Sequence, residues 1–470
     1  MTLAATLVRV PALNRPIGFV FDEIFYARDA CVYAGGPCGI AELTSRAHPP
    51  LGKWMIAAGI KVFGYSPFGW RITAALAGIA TVVLLYLLAR RLLSGTVPGP
   101  AATLGSFAAA GLLATDFLHV VQSRVAMLDV FTTLFVVAAV LAIVHDRDRG
   151  RDGVQRAGPL RRFALGRPWR LLAGICLGAA TATKWNGAYV ATAVVGLTVA
   201  WELAARMRAP HPTRRGVLLR ALREEGLPTV ILLGAVPVIV YIAAYTGRMP
   251  GAVIGLPWQE GTFWRGIWDH QVAMLQFHTT LGGNHPYESA PWSWLLLKRP
   301  IAYYFSDQNG QYREILALGN PIVWWTAGVG LVALAVRWAR AGWSLLAPEA
   351  VVIAAVLGTY APWLILSGSR SQVFLWYLLP TVPFLCAGLG IVIARAWRSM
   401  VGRVATGAFA VAVLASFLVY LPLLTALPLS PAEWRLRMLF TDCGRPGAAT
   451  MTLPDDTVNQ GPPPRGWCWI

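Results

Sequence analysis

Thr183-Lys184-Trp185-Asn186-Gly187 is the one polar interruption in an apolar segment that runs between two arginine-rich loops, 146–169 and 204–226. Cytoplasmic loops of membrane proteins collect Lys and Arg, so both loops are read as lying on the inner side. The segment between them must then enter the bilayer and come back, which makes the polar stretch the turn of a helical hairpin. Each limb has roughly 14–17 residues, about 21–26 Å at ~1.5 Å per residue, short against a hydrocarbon layer of ~30 Å. Lys184 is therefore expected just under the outer headgroups, at the depth of a lipid phosphate.

The same signature extends along the chain in both directions. Apolar residues make up 56 % and charged residues 13 %, whereas a soluble domain carries about a quarter charged residues. Runs near the ~20 residues that cross a bilayer recur at Ile72–Leu93, Ala101–His119, Ala126–His145, Leu227–Tyr245, Ile322–Val336, Leu346–Leu366, Val373–Ala394 and Val404–Leu424. The fold class is an all-α polytopic membrane protein. The net charge of +18 comes largely from arginines that flank these runs, at 147–170, 206–223, 337/340 and 395/398/403. Such a distribution orients spans and attracts anionic lipid headgroups. With no recognition motif beside it, it argues against nucleic acid as a partner.

Propagating the orientation of the hairpin gives about eleven spans, an inner N-terminus, a transmembrane domain over 1–425 and an outer tail over 426–470. The outer loops are then 14–70, 122–125, 183–187, 247–320 and 367–372. Between them they hold Asp22, Glu23, His48, Lys53, Arg124, Lys184, His285 and Arg370. The unusual polar groups thus converge on one face, the extracytoplasmic side of the cell membrane. Thr2–Leu13, with Arg9 inside it, is short for a span; the reading is a tilted helix that thins the bilayer locally, or a natural start further upstream. It lacks the basic n-region and cleavage run of a signal peptide.

Cys176 and Cys386 fall inside spans and read as small packing residues. Cys31 and Cys38 share the first outer loop, and Cys443 and Cys468 share the outer tail. Outside the membrane disulfides persist, so bridges are expected within each pair. No spacing resembles a zinc site, and neither metal nor cofactor is expected.

The chemistry centres on the first outer loop. Phe21-Asp22-Glu23 is followed by His48-Pro49-Pro50-Leu51-Gly52-Lys53. Adjacent carboxylates cannot both point one way, so one can face a reaction centre while the other orients a helper. The plain alternative is a helix N-cap, with Asp22 satisfying the first N–H groups of the segment that follows. Pro49 holds His48 extended, Gly52 permits close backbone approach, and Lys53 starts an amphipathic stretch suited to the interface. Asp129 lies inside a span, below Arg124. An intramembrane carboxylate is a functional candidate by default, and Lys184 is its alternative partner. Arg124 and Lys184 together could hold a phosphate by charge-assisted hydrogen bonds. In the loop 247–320, Trp258, Trp264, Trp268, Trp292 and Trp294 read first as interfacial anchors, with stacking on a sugar face as a further role for some; His285 stands beside them.

These residues, in this order, resemble the protein O-mannosyltransferases, in particular the bacterial polyprenyl-phosphate-mannose enzymes of actinobacterial type. The resemblance is carried by Phe21-Asp22-Glu23-Ile24, by His48 to Lys53, by Phe68-Gly69-Trp70-Arg71, and by Ser123-Arg124 with Leu128-Asp129. Ala182-Thr183-Lys184-Trp185, His285-Pro286-Tyr287, Pro291-Trp292-Ser293-Trp294, Leu318-Gly319-Asn320-Pro321 and Tyr377-Leu378-Leu379-Pro380 continue it. It implies a GT-C glycosyltransferase fold and inverting transfer of mannose from a lipid phosphate to Ser/Thr hydroxyls of secreted proteins. On that resemblance Asp22 is the general base with Glu23 beside it. Arg124, Lys184 and Lys53 contact the donor phosphate, and His48, Asp129, His285 and Trp292 support sugar or acceptor. The loop 247–320 is too short for the inserted lumenal domain of fungal and animal relatives. Expected partners are polyprenyl-phosphate-mannose, translocating acceptor proteins, membrane lipids and the secretion translocon.

The competing reading keeps the architecture and changes the acceptor to a lipid or glycan. A transporter would show internal repeats and polar breaks near the midplane; here the polar groups gather at one face.

Overall fold

A computed structural model describes residues 1–36, 38, 43–153, 166–207, 214–246, 263–280, 285, 287–366, 372–438 and 463. In chain order the helices are α1 (Thr2–Arg9), α2 (Glu23–Ala34), α3 (Leu51–Phe63), α4 (Pro67–Leu93), α5 (Gly99–Ala114), α6 (Phe117–Arg124), α7 (Leu128–Gly153), α8 (Pro168–Thr183) and α9 (Val190–Arg206). A continuous helical run Arg215–Thr246 follows as α10. After it come α11 (Phe263–Thr280), a hairpin of β1 (Ile301–Gln308) and β2 (Gln311–Ala317), α12 (Pro321–Arg340), α13 (Pro348–Leu366), α14 (Val382–Ala396), α15 (Met400–Thr425) and α16 (Pro431–Arg435).

Local chemistry sets several of these boundaries. Pro67 and Pro321 occupy first turns, where a missing N–H costs nothing. Ser66 caps α4 by accepting from Gly69 N at 3.2 Å, and the Asn320 side chain accepts from Ile322 N and Val323 N. Within the single apolar run Ala101–His119 the chain instead bends by 58° between α5 and α6. Asp116 causes the restart: its carboxylate accepts from His119 N at 3.0 Å and caps α6.

Among the described residues, eight helices are long and apolar enough to cross a membrane, or nine if the bent α5–α6 pair is one span. The two remaining segments of the expected eleven are α1, with 8 residues, and α8, with 16. The stretch Leu375–Ala396 that contains α14 is the core of the bundle, 94 % buried in its apolar window against 22 % for α15. α14 and α5 touch through glycines: a Cβ on Gly105 would fall 2.5 Å from Gly390 O. Small residues of this kind let helix backbones close up where lipid offers no hydrophobic drive.

The hairpin inferred from the basic loops is present. Lys184 is extended (φ −156°, ψ 136°) between α8 and the short turn Trp185–Tyr189 that leads into α9. The far ends of both limbs meet, because Glu202 of α9 binds Arg167 (3.1 Å) and Arg170 (2.9 Å) at the start of α8. Asp146 of α7 and Glu225 of α10 bind the same two arginines. Trp201 Nε1 donates to Leu345 O (2.7 Å), which brings the segment between α12 and α13 to this pole. There Glu349 pairs with Arg337 and Arg395. The arginine-rich segments therefore gather at one end of the bundle, and Lys184 stands at the other.

One element departs from the all-α expectation. Within the loop 247–320, β1 and β2 pair antiparallel across Asn309-Gly310, whose φ values of 55° and 74° are those an Asn-Gly hairpin turn uses. Tyr312 bridges Leu429, and Trp434 Nε1 donates to buried Glu314 at 2.6 Å, so the segment after α15 is fastened to the hairpin. Cys31 and Cys38 form a disulfide, and Cys176 and Cys386 are buried thiols. Cys443, Cys468, Arg370 and Trp258 lie outside the described residues.

Candidate active site

α2 begins at Glu23, and Asp22 occupies the position before it without capping the helix: its backbone is helical and its side chain accepts no cap bond. The half-buried carboxylate instead accepts from Tyr26 Oη at 3.3 Å, one helical turn on. The capping alternative is therefore excluded. Burial pushes the Asp22 carboxyl up to about 6; the Lys184 ammonium and the Tyr26 hydroxyl oppose that rise, while Asp129 adds to it. Asp22 thus feels both members of a second pair. Lys184 Nζ donates to both oxygens of Asp129, each at 2.9 Å, and lies 4.6 Å from the ring centre of Tyr377. Asp129 is fully buried at the start of α7, and Lys184 is 6 % exposed at the hairpin tip.

An ammonium has three N–H donors; two go to Asp129, so one remains to reach a phosphate oxygen. The Tyr377 face favours the cation as well. Asp129 therefore fixes where Lys184 points, and Lys184 answers the charge that would otherwise make a buried carboxylate so costly.

The turn that opens α3 closes this corner. His48 lies with its ring centre 6.0 Å from Tyr26 and 5.5 Å from His278 of α11, and His278 is 6.1 Å from Trp185. Gly52 seats the turn between α7 and α8: a Cβ there would fall 2.7 Å from Leu128 Cδ2 and 2.9 Å from Thr183 Cγ2. Both neighbours directly precede the ion-paired residues. Gly52→Ala is expected to destabilise by about 1–3 kcal/mol, the usual cost of overpacking, and to lower turnover by displacing Asp129 and Lys184. Thermal melting and initial rates on the same preparation check both parts.

Other expected site residues are placed differently. Glu23 faces away from Asp22, fully buried against Arg71, with Nε–Oε1 at 2.8 Å and Nη2–Oε2 at 2.7 Å. It also accepts from Val20 N and Ala126 N, each at 2.8 Å, which makes it an anchor rather than a group facing the reaction centre. Arg124, expected at the donor phosphate, gathers the carbonyls of Val8, Arg9, Pro11 and Ala12 at 3.0–3.4 Å instead. The reason is the exit from α1, which leaves those carbonyls without helical partners. Lys53, also expected at the phosphate, binds Asp29 Oδ2 (2.6 Å) and Ser45 O (2.5 Å) and is 1 % exposed. With Thr44 on the same Asp29 carboxylate (Oγ1 at 2.7 Å), this pair ties the first loop to α2.

His285 accepts from Tyr287 N at 3.2 Å and packs its ring 4.9 Å from Phe374, which lies 5.9 Å from Tyr377, the ring that faces Lys184. Trp292 is 63 % exposed beside Lys298, as an anchor would be, and Trp264 and Trp268 are as open. Trp294 is not an anchor: it is fully buried and donates to Ser289. The sequence reading also missed Tyr26 and Tyr303. Tyr26 stands four residues after Asp22, the spacing at which helical side chains meet. Tyr303 sits on the hairpin that Asn309-Gly310 announces. Among the described residues, no group of three or more His, Cys, Asp or Glu side chains is placed to hold a metal.

The multi-span bundle has the GT-C fold, and it carries a buried carboxylate–ammonium corner at the pole opposite its basic loops. The fold aligns with the donor-bound Pmt1–Pmt2 protein O-mannosyltransferase complex of Saccharomyces cerevisiae at a TM-score of 0.71, 16 % identity, over 93 % of this chain and 90 % of that one. It also aligns with ArnT of Cupriavidus metallidurans bound to undecaprenyl phosphate, at 0.50 and 17 %, over 84 % of this chain and 59 % of that one. Identities this low speak to fold alone; sequence supplies the family. Residues 1–249 match the family described as dolichyl-phosphate-mannose-protein mannosyltransferase, and residues 263–443 match the C-terminal four-span region of protein O-mannosyltransferase. The polyprenol-phosphate-mannose–protein mannosyltransferase of Mycobacterium tuberculosis is 30 % identical over 93 % of this chain and 90 % of its own length. That of Corynebacterium glutamicum is 32 % identical over 74 % and 71 %. The chain belongs to the protein O-mannosyltransferase family.

Proposed function

We propose that this protein transfers mannose from a polyprenyl phosphate to Ser/Thr hydroxyls of proteins, with inversion, at the extracytoplasmic face of the plasma membrane. The observation that carries the reading is a half-buried carboxylate, Asp22, held beside the Lys184–Asp129 pair at the hairpin tip. The relatives' names supply the sugar, the lipid phosphate and the protein acceptor. In the reaction the acceptor oxygen attacks the anomeric carbon and its proton passes to Asp22. The bond from that carbon to the phosphate oxygen breaks, and the phosphate leaves with the bonding pair as an anion. Such a leaving group needs no acid, so one base and one cation suffice. Lys184 is the cation, because Arg124 and Lys53 are tied to the protein's own oxygens. Asp129 aims it and Glu23 anchors the loop that carries the base.

Segregation of the arginine-rich segments at the opposite pole supports the outward orientation of this corner. Exposed Trp264, Trp268 and Trp292 suit a headgroup plane. An extracytoplasmic site also makes chains leaving the secretion translocon the natural acceptors.

The test is transfer on membranes carrying this protein, with polyprenyl-phosphate-mannose and a Ser/Thr/Pro-rich peptide. Mannosylated peptide is expected, and it should survive EDTA, since the mechanism asks nothing of a metal. Donor turnover that appears only when membrane glycans are supplied would instead move the acceptor to the lipid or glycan class.

A further inference from the structure

Phe21, the residue before the proposed base, has φ +53°, in the left-handed region that bulky side chains avoid. The turn it makes leads into two carboxylates with opposite tasks: Glu23, fastened to Arg71 and to Val20 N, and Asp22, bonded to Tyr26 and within the field of Lys184. Such a conformation persists only where surroundings over-determine it, and here they do. The Phe21 ring lies flat on Tyr303 with centres 4.3 Å apart and planes at 6°, and it meets Trp376 at 5.3 Å and 86°. Tyr303 and Trp376 also touch, at 5.9 Å and 81°, so the three rings close on one another.

Each partner ring is itself fixed. Gln122 Nε2 donates to Tyr303 Oη at 2.6 Å, and Trp376 stacks on Phe374 at 4.3 Å and 9°. Tyr303 reaches Phe21 through an irregularity in its strand. The β1–β2 register shifts between Ala302 and Tyr304, leaving Tyr303 outside the ladder, and both Tyr303 and Tyr304 are buried where a regular strand would alternate. A bulge is the device that re-aims one side chain of a strand.

We infer that the bulged Tyr303, with Trp376, clamps Phe21 and thereby positions Asp22 for proton abstraction, so that the outer hairpin of the C-terminal region sets the geometry of a base carried by the N-terminal region. This rests on Asp22 being the base. The clamp rings are positioning residues: they hold the backbone beside Asp22.

The full chain in membranes tests it, with donor kinetics and a pH profile for each variant. Tyr303→Ala should lower kcat by roughly 10- to 100-fold, the scale of a misplacement near 1 Å, leave the donor KM unchanged and displace the pH midpoint. Tyr303→Phe, which keeps the ring and loses only the bond from Gln122, should retain most of the turnover. Phe21→Gly, which adopts positive φ without strain but offers no ring, should behave as Tyr303→Ala does, and combining the two should cost little more. If Tyr303→Ala fails to accumulate, Phe21→Leu and Trp376→Phe give the same kcat-against-KM comparison. Wild-type kcat and midpoint in Tyr303→Ala, or losses that multiply in the double variant, would overturn the clamp. Asp22→Asn keeps the two readings apart: turnover in that variant removes the base itself, whereas an inactive Asp22→Asn beside a fully active Tyr303→Ala removes the clamp alone.

Discussion

Asp22→Asn is expected to lower mannosyl transfer by about 10²- to 10⁴-fold, the usual contribution of a positioned acid or base, while the protein still inserts and binds its lipid donor. The amide keeps the shape of the carboxylate and can still accept from Tyr26, but it cannot take a proton from an attacking hydroxyl. Donor binding should persist because Lys184 remains oriented by two bonds to Asp129. Initial rates together with binding of labelled donor separate the two effects; a variant as active as wild type would remove Asp22 from the mechanism. The same carboxylate sets a pH dependence. Burial raises it to about 6 against the opposing charge of Lys184. A base must be ionised to act, so the rate should rise through about pH 6 and level off above it. Lys184→Met takes away the charge that holds this value down, so the midpoint of any residual activity should move upward.

The sequence disclosed this site unevenly, for physical reasons. Motifs whose backbone geometry is dictated by residue type were legible: the polar break at Lys184, the proline-stiffened turn after His48 and the close approach at Gly52. Hydropathy located the long spans because a bilayer fixes their length. Partner choice among charged groups was legible only as alternatives: Lys184 stood beside Arg124 as a partner for Asp129, and the sequence did not decide between them. Arg124 and Lys184 are alike as outward cations along the chain, and only the fold shows one at the carbonyls leaving α1 and the other on Asp129. The adjacency of Asp22 and Glu23 foretold a division of labour without naming Arg71, some fifty residues away, as Glu23's partner. The hairpin was overlooked because a strong helical pattern surrounds it, although Asn309-Gly310 was in plain sight.

The second large effect concerns that pair. Arg71→Met should destabilise the protein by about 3–5 kcal/mol, the cost of breaking a buried ion pair from one side. The guanidinium does more than answer one charge. Besides both oxygens of Glu23, it binds the carbonyls of Leu13 (3.2 Å), Pro16 (2.9 Å) and Gly18 (2.9 Å), and so gathers the chain that leads into Asp22. With Arg71 gone, Glu23 keeps only the N–H groups of Val20 and Ala126, and the three carbonyls lose a shared donor. Arg71→Lys should not rescue it, because an ammonium lacks the planar fork that reaches carboxylate and carbonyls together. The double variant Glu23→Gln/Arg71→Met should recover part of the stability, since no unpaired charge then remains buried, yet it should recover little turnover, because nothing gathers residues 13–18 beneath the base. Thermal melting in membranes or detergent, set beside transfer rates, distinguishes these outcomes. Melting of Arg71→Met at the wild-type temperature would mean that Glu23 holds the loop through its backbone bonds alone. A double variant that regained both stability and rate would show that the pair serves only to neutralise its own charges and leaves Asp22 to be placed by the rings on its other side.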